Sequence, residues 1–157
     1  FAFGSATEAG LFLFWAVEHF ALMKAAAEAT TRYGKLVEVS PHLEGDHVYL
    51  VCTYTTGDAA GQNMVTIATE ALCRAVEAAS PVKPRHWFVE GNFSGDKKAS
   101  ALSFLSVRGR KATASIDLPG DLVRSHLHTT PERMQDYWRM SALGGVMSGS
   151  IGVQGHY

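Results

Sequence analysis

The sequence predicts an α+β fold in two parts, on three observations. A Pro-free run rich in Ala, Leu, Phe and Glu opens the chain, and a β-rich hairpin follows it. A helix with regular apolar spacing comes next. Beyond about Val89 the texture shifts to short strand-like runs, Pro-led helices and a Gly/Ser-rich tail, which places a boundary there.

Each element has a local reason. From Ser5 to about Thr30, Phe14, Val17, Ala21 and Met23 lie near helical spacing, so one helix ending near Gly34 is expected. Ser5 with Glu8 three residues on suits its start. Lys35–Val39 reads as a strand, followed by Pro41 and the turn Glu44-Gly45-Asp46. Residues 47–55 alternate, with Val48, Leu50, Cys52 and Tyr54 on one face. Over Gln62–Ala79, Met64, Ile67, Ala68, Ala71, Leu72 and Val76 form a helical stripe, ended by Pro81 and Pro84. Arg85–Asn92 reads as a third strand. Helix, hairpin, helix and strand around one sheet make a ferredoxin-like small domain over residues 1–88. Residues 89–157 read as a connecting loop and part of a larger α/β domain. Its expected elements are strands at Ala101–Val107 and Lys111–Leu118, a helix from Asp121, and another after Thr130 with Pro131 in its first turn.

Composition narrows the function classes. The 157 residues carry 14 Lys and Arg against 15 Asp and Glu, a net charge of −1, which argues against nucleic acid as the main partner. Apolar residues make up 46% and charged ones 18%, as in a chain that buries a core. No apolar run reaches the roughly 18 residues of a membrane span, and no signal-peptide pattern is present. Cys52 and Cys73 are too few for a disulfide framework or a Cys-rich zinc site, and fit a reducing, cytoplasmic setting. The chain opens at Phe1 without Met and stops at Tyr157 after a Gly-rich run, which reads as a piece of a longer protein.

Three segments have the composition of ligand sites. Gly57-Asp58-Ala59-Ala60-Gly61-Gln62-Asn63-Met64 joins a strand to the strongest helix. Small residues there admit a ligand to the backbone, and the helix start favours phosphate. An ordinary packed helix start has the same composition, and composition alone favours that reading. Glu90-Gly91-Asn92-Phe93-Ser94-Gly95-Asp96-Lys97-Lys98 is a Gly-bearing loop with adjacent cations. Asp96 can hold a lysine charged and aimed at an oxyanion, although most such charge runs are solvated surface. Gly144-Gly145-Val146-Met147-Ser148-Gly149-Ser150-Ile151-Gly152 implies close backbone approach, by a helix or by a ligand. His126 and His128 lack partners at metal-ligand spacing, so no metal is expected.

Taken together and in this order, the three segments resemble the class I type of 3-hydroxy-3-methylglutaryl-coenzyme A (HMG-CoA) reductase, over essentially the whole chain. Gly57–Met64 is similar to that family's Asp-Ala-Met-Gly-x-Asn-Met cofactor loop. Asn92 to Lys98 is similar to its Gly-Asn-Phe/Tyr-x-x-Asp-Lys-Lys loop, and Gly149–Gly152 to its Gly-Ser-Ile-Gly segment. The resemblance implies NADP(H) bound by Asp58, Ala59, Ala60, Gly61, Gln62, Asn63 and Met64, with Thr31, Arg32 and Tyr33 at its phosphate end. It implies Lys97 as the catalytic lysine, and Glu90, Asn92, Asp96 and Lys98 on the substrate. The implied reaction takes HMG-CoA through a hemithioacetal and an aldehyde to mevalonate and free coenzyme A, in two hydride transfers. It implies a homodimer, possibly a dimer of dimers, in which two subunits complete each site. Further acidic and His groups from outside this chain complete the family's site, so these residues alone are expected to be inactive.

Several positions depart from the family pattern. Glu90 replaces a Ser, where a carboxylate repels an acidic substrate unless it is turned away or paired. Ala60 and Gln62 replace Met residues, and Ala99 replaces a Pro. His128 stands where a Lys reaches coenzyme A phosphates. The substrate lysine expected before the Gly-rich tail is unmatched, with Arg139 and Met140 nearest. Two other readings follow, a reductase of another acyl-CoA and a non-catalytic ferredoxin-like binding module.

Overall fold

A computed structural model describes residues 1–93 and 113–150. The chain divides into two compact units, Phe1–Val89 and Glu90–Tyr157. In the first, helices α1 (Ala6–Glu18) and α2 (Phe20–Glu28) precede strands β1 (Lys35–Glu44) and β2 (His47–Thr55), and helix α3 (Gln62–Ala79) follows. In the second lie helices α4 (Gly120–His126) and α5 (Pro131–Met147). The chain is therefore α+β.

Ser5 caps α1 as expected, its hydroxyl accepting from Glu8 N at 3.2 Å, while Glu8 Oε2 accepts from Gly4 N at 2.7 Å. The single long helix expected over Ser5–Thr30 is instead two helices bent by 70°. No Gly or Pro causes the break. His19 stacks on Trp15 at 4.4 Å, and its Nδ1 lies 2.7 Å from the Trp15 carbonyl, closing α1 with a side chain. The buried stripe also differs from the expected one. Ala9, Phe12, Ala16, Met23 and Ala27 face the core, whereas Phe14 is 72% and Val17 57% exposed.

The hairpin turns at Gly45-Asp46 as expected, with Glu44 opposite His47. Strand β1 runs five residues beyond the Val39 end expected from sequence, through Pro41, which pairs with Leu50. Both strands of a two-stranded sheet are edges, so a missing N–H is tolerated there. Val48 is fully buried, and Leu50, Cys52 and Tyr54 pack on the core behind it. Helix α3 has the expected bounds and Cys73 is buried, yet Ile67, expected on the apolar stripe, is 57% exposed.

The expected strand at Arg85–Asn92 is absent. A single antiparallel bridge joins His86 to Ala2, and a second joins Ala2 to His47. Phe1–Phe3 thus runs between the start of β2 and residues 85–86, held by Val48 N to Phe1 O at 2.9 Å and Arg85 N to Ala2 O at 2.8 Å. Phe1 and Phe3 pack on Phe12 at ring distances of 5.1 and 4.7 Å. No single described helix is long and apolar enough to cross a membrane; α1 and α2 together reach that length only across their bend.

In the second unit, Thr130 caps α5 by accepting from Arg133 N at 3.2 Å, with Pro131 in the first turn. Residues 113–118 form no strand, so the described part of the expected strand at Lys111–Leu118 is irregular. The expected strand at Ala101–Val107 lies outside the described residues.

Candidate functional site

Strand β2 delivers Thr56 to the tight turn that opens α3. Thr56 Oγ1 donates to Ala59 O at 2.5 Å, closing the turn across Gly57 and Asp58. Gly57 (φ 66°) and Gly61 (φ 72°) both sit in the left-handed region. Gly61 caps α3 without a side chain, and no acidic residue occupies the first turn. Neither a capping side chain nor a first-turn acid therefore offsets the positive end of this 18-residue helix among the described residues. Ala60, Gly61, Gln62, Asn63 and Met64 line an open concavity of about 320 Å³. Asp58, Ala59 and Ala60 are exposed beside it.

A second segment meets this one. Thr31 Oγ1 donates to Met64 Sδ at 3.0 Å and accepts from Gly34 N at 3.0 Å and Tyr33 N at 3.3 Å. A hydroxyl thus folds residues 31–34 into a turn and ties it to the first turn of α3. Arg32 and Tyr33 are exposed on this turn, the guanidinium 5.9 Å from the Tyr33 ring centre. Behind the loop, Tyr54 and Thr69 share a hydrogen bond of 3.0 Å that braces β2 on α3. Burial pushes the Tyr54 hydroxyl above its ordinary pKa, against the opposing pull of Thr69. A guanidinium, an uncapped helix start and small exposed residues together suit a phosphorylated, elongated anion. A Cβ at Gly61 would lie 2.5 Å from Thr56 Cγ2, so the turn leaves no room for a side chain there.

The second unit holds the other expected segment. Glu90 is exposed, and its Oε1 accepts from Asn92 N at 2.5 Å, which turns that oxygen into its own loop. Asn92 is fully buried with φ 59°, and its Nδ2 donates to Ser141 O of α5 at 3.1 Å. Gly144 of α5 meets the backbone of residues 91–93 so closely that a Cβ would collide with Gly91 O. The glycines expected to admit either a helix or a ligand therefore admit, at Gly144, the chain's own loop. Asp96, Lys97 and Lys98 lie outside the described residues, as do Ile151 and Gly152.

The departures are placed as well. Met140 is a core residue at 1% exposure, and Arg139 is exposed, 3.7 Å from Asp136. His128 is exposed in the α4–α5 loop with φ 52°. No group of His, Cys, Asp or Glu among the described residues has the geometry of a metal site. Sequence reasoning missed Thr56 and Ser141, whereas Ser148 lies in the Gly-rich segment it singled out. A Thr closing a strand just before Gly-Asp is the available signal for Thr56. Nothing local marks Ser141.

The profile of the hydroxymethylglutaryl-coenzyme A reductase family matches residues 1–157. The 3-hydroxy-3-methylglutaryl-coenzyme A reductase of Haloferax volcanii is 39% identical over 157 residues, covering 99% of this chain and 38% of the relative. That of Methanothermobacter thermautotrophicus is 40% identical over 157 residues, covering 98% and 39%. The sea-urchin enzyme from Strongylocentrotus purpuratus is 32% identical over 151 residues, covering 94% and 16%. The chain thus spans about two fifths of the length of its archaeal relatives.

Proposed function

The chain belongs to the hydroxymethylglutaryl-coenzyme A reductase family, and from that premise we propose that the whole protein reduces HMG-CoA to mevalonate and free coenzyme A with NADPH. The observation that carries the cofactor assignment is the Thr31–Met64 contact at 3.0 Å. It joins two segments some thirty residues apart that the family resemblance assigns to one dinucleotide.

Residues 1–88 are the dinucleotide-binding domain, and residues 89–157 the connecting loop and part of the catalytic domain. A ferredoxin-like reading of the first is supported by the pairing of Phe1–Phe3 between β2 and residues 85–86. That pairing gives a strand-helix-strand-strand-helix-strand order in rudiment.

Arg32, exposed on the Thr31 turn, holds the 2′-phosphate, which a guanidinium recognises in bidentate fashion. The start of α3 takes the diphosphate, and the small Ala59 and Ala60 let the backbone approach it. When bound, NADPH supplies hydride to the substrate carbonyl. Lys97 presents an ammonium to the oxygen that gains negative charge at each of the two transfers. Asp96 keeps that lysine charged, and Lys98 meets the substrate's acid arm. Glu90, turned toward Asn92 N, withdraws one carboxylate oxygen from repelling that acid. The protein acts as a homodimer whose sites are shared between subunits.

The test is an NADPH-oxidation assay of the full-length protein with HMG-CoA and a panel of other acyl thioesters. Turnover with HMG-CoA is expected, and Lys97→Ala is expected to cut kcat by about 10²-fold or more while NADPH still binds. Turnover with another thioester alone selects the alternative reductase. Unchanged turnover in the Lys97 variant refutes the role given to that lysine, and no turnover with any thioester refutes the enzyme reading.

A further inference from the structure

Asn92 pairs a costly backbone with a costly side-chain site. Its φ of 59° is left-handed, a region that Asn visits more readily than most residues but that glycine alone adopts freely. Its Oδ1, like Ser141 Oγ, is buried without a hydrogen-bond partner among the described residues. A glycine here would relieve the first cost, and an apolar pair would remove the second. What the amide does instead is donate to Ser141 O of α5 at 3.1 Å, a bond across 49 residues of chain in a wholly buried setting.

The same joint is made from three more directions. Glu90 Oε1 accepts from Asn92 N at 2.5 Å, Ser148 Oγ donates to Asn92 O at 3.4 Å, and Gly144 lets α5 press on the backbone of residues 91–93. Every polar backbone group of Asn92 and one end of its amide are therefore committed. Lys97 lies five residues further along the chain. Local strain and unpaired buried atoms persist where the surroundings hold them for a purpose.

We infer that Asn92, which the family resemblance puts on the substrate, is instead a positioning residue: fully buried, it clamps residues 91–93, which lead into the lysine-bearing segment, to α5 through the Ser141 carbonyl, without itself touching substrate. This rests on the reductase reading above. Misplacement of a reacting group by about 1 Å can cost about 10²-fold in rate.

The experiment uses the full-length protein and two variants. Asn92→Gly keeps the left-handed backbone and removes the amide. Asn92→Asp keeps the shape and replaces the donor with an acceptor facing a carbonyl. Both are expected to lower kcat with HMG-CoA by about 30-fold or more, while KM and the NADPH dissociation constant stay within threefold and the dimer persists. Gly144→Ala, which disturbs the joint from the helix side, is expected to be strongly non-additive with Asn92→Gly in kcat. A kcat within threefold of wild type in either variant overturns the inference and leaves the reductase reading intact. Equal losses in kcat and NADPH binding, or failure of both variants to fold, assign Asn92 a purely structural role and overturn it too. Absence of turnover in the wild type itself refutes the reductase reading instead, and the inference falls with it.

Discussion

Replacing Gly61 by Ala tests the geometry of the cofactor turn most directly. At φ 72° and ψ 14° the residue is left-handed, which costs an L side chain about 1–2 kcal/mol. The added Cβ would lie 2.5 Å from Thr56 Cγ2, 2.8 Å from Thr56 Cβ and 3.1 Å from Met64 Cε. Met64 Cε is the end of a flexible side chain and can yield. Thr56 Cβ is not, and moving it strains the 2.5 Å bond from Thr56 Oγ1 to Ala59 O. Overpacking of this kind costs about 1–3 kcal/mol. Against it stands a gain of about 0.4–1 kcal/mol from the less flexible unfolded chain. The expected net loss is about 2–4 kcal/mol, a large share of the stability of a domain. Gly57→Ala is the control, since φ is 66° there but nothing lies within 4 Å of the added carbon. It should cost only the backbone part, about 1 kcal/mol. Urea unfolding of the full-length protein reads both, with dinucleotide titration alongside. Equal losses in the two variants refute the Thr56 contact, and no loss in either refutes the left-handed turn.

Two further outcomes follow from burial and contact. Burial pushes Cys52 up to about 11, and burial followed by the nearby Cys52 pushes Cys73 up to about 12. The folded state therefore favours the protonated thiols. Their contribution is complete below the unfolded pKa of about 8.5 and is lost as pH rises through the folded values. Stability should fall from about pH 9 upward, and less steeply in a Cys52→Ala, Cys73→Ala double variant, as measured by urea unfolding across pH. A parallel decline in wild type and double variant refutes the assignment. Gly10→Ala and Gly144→Ala, both inside helices, should have opposite signs. At Gly10 nothing lies within 4 Å, so Ala should stabilise by up to about 1 kcal/mol. At Gly144 the added carbon meets Gly91 O, Phe93 N and Asn92 C, all backbone, and a net loss of about 1–2 kcal/mol is expected. Calorimetric melting of the full-length variants decides it, and matching signs would contradict the packing described.

Elements with strong local signals were legible at once. The bounds of β2 and α3, the Gly45-Asp46 turn and the capping by Ser5 and Thr130 follow from alternation, periodicity and side-chain hydrogen bonding within a few residues. The first helix was legible in type but not in face, because it is apolar on nearly every side and offers no single stripe. Phe14 and Val17 fit helical spacing as well as Phe12 and Ala16 do, and only the latter pair is buried. The bend at His19 carries no Gly or Pro, and Arg85–Asn92 has strand composition yet contributes only the His86 bridge.

By itself, the sequence determined the helix and hairpin types, the glycines of the α3 turn and the family motifs, since each depends on residues within one turn of each other. Tertiary structure alone decided that Thr31 closes on Met64, that Phe1–Phe3 completes the pairing at His47 and His86, and that Asn92 is gripped by α5. Those contacts join residues far apart in the chain. Hydroxyl, thioether and carbonyl leave no periodic trace until packing brings them within 3 Å or so.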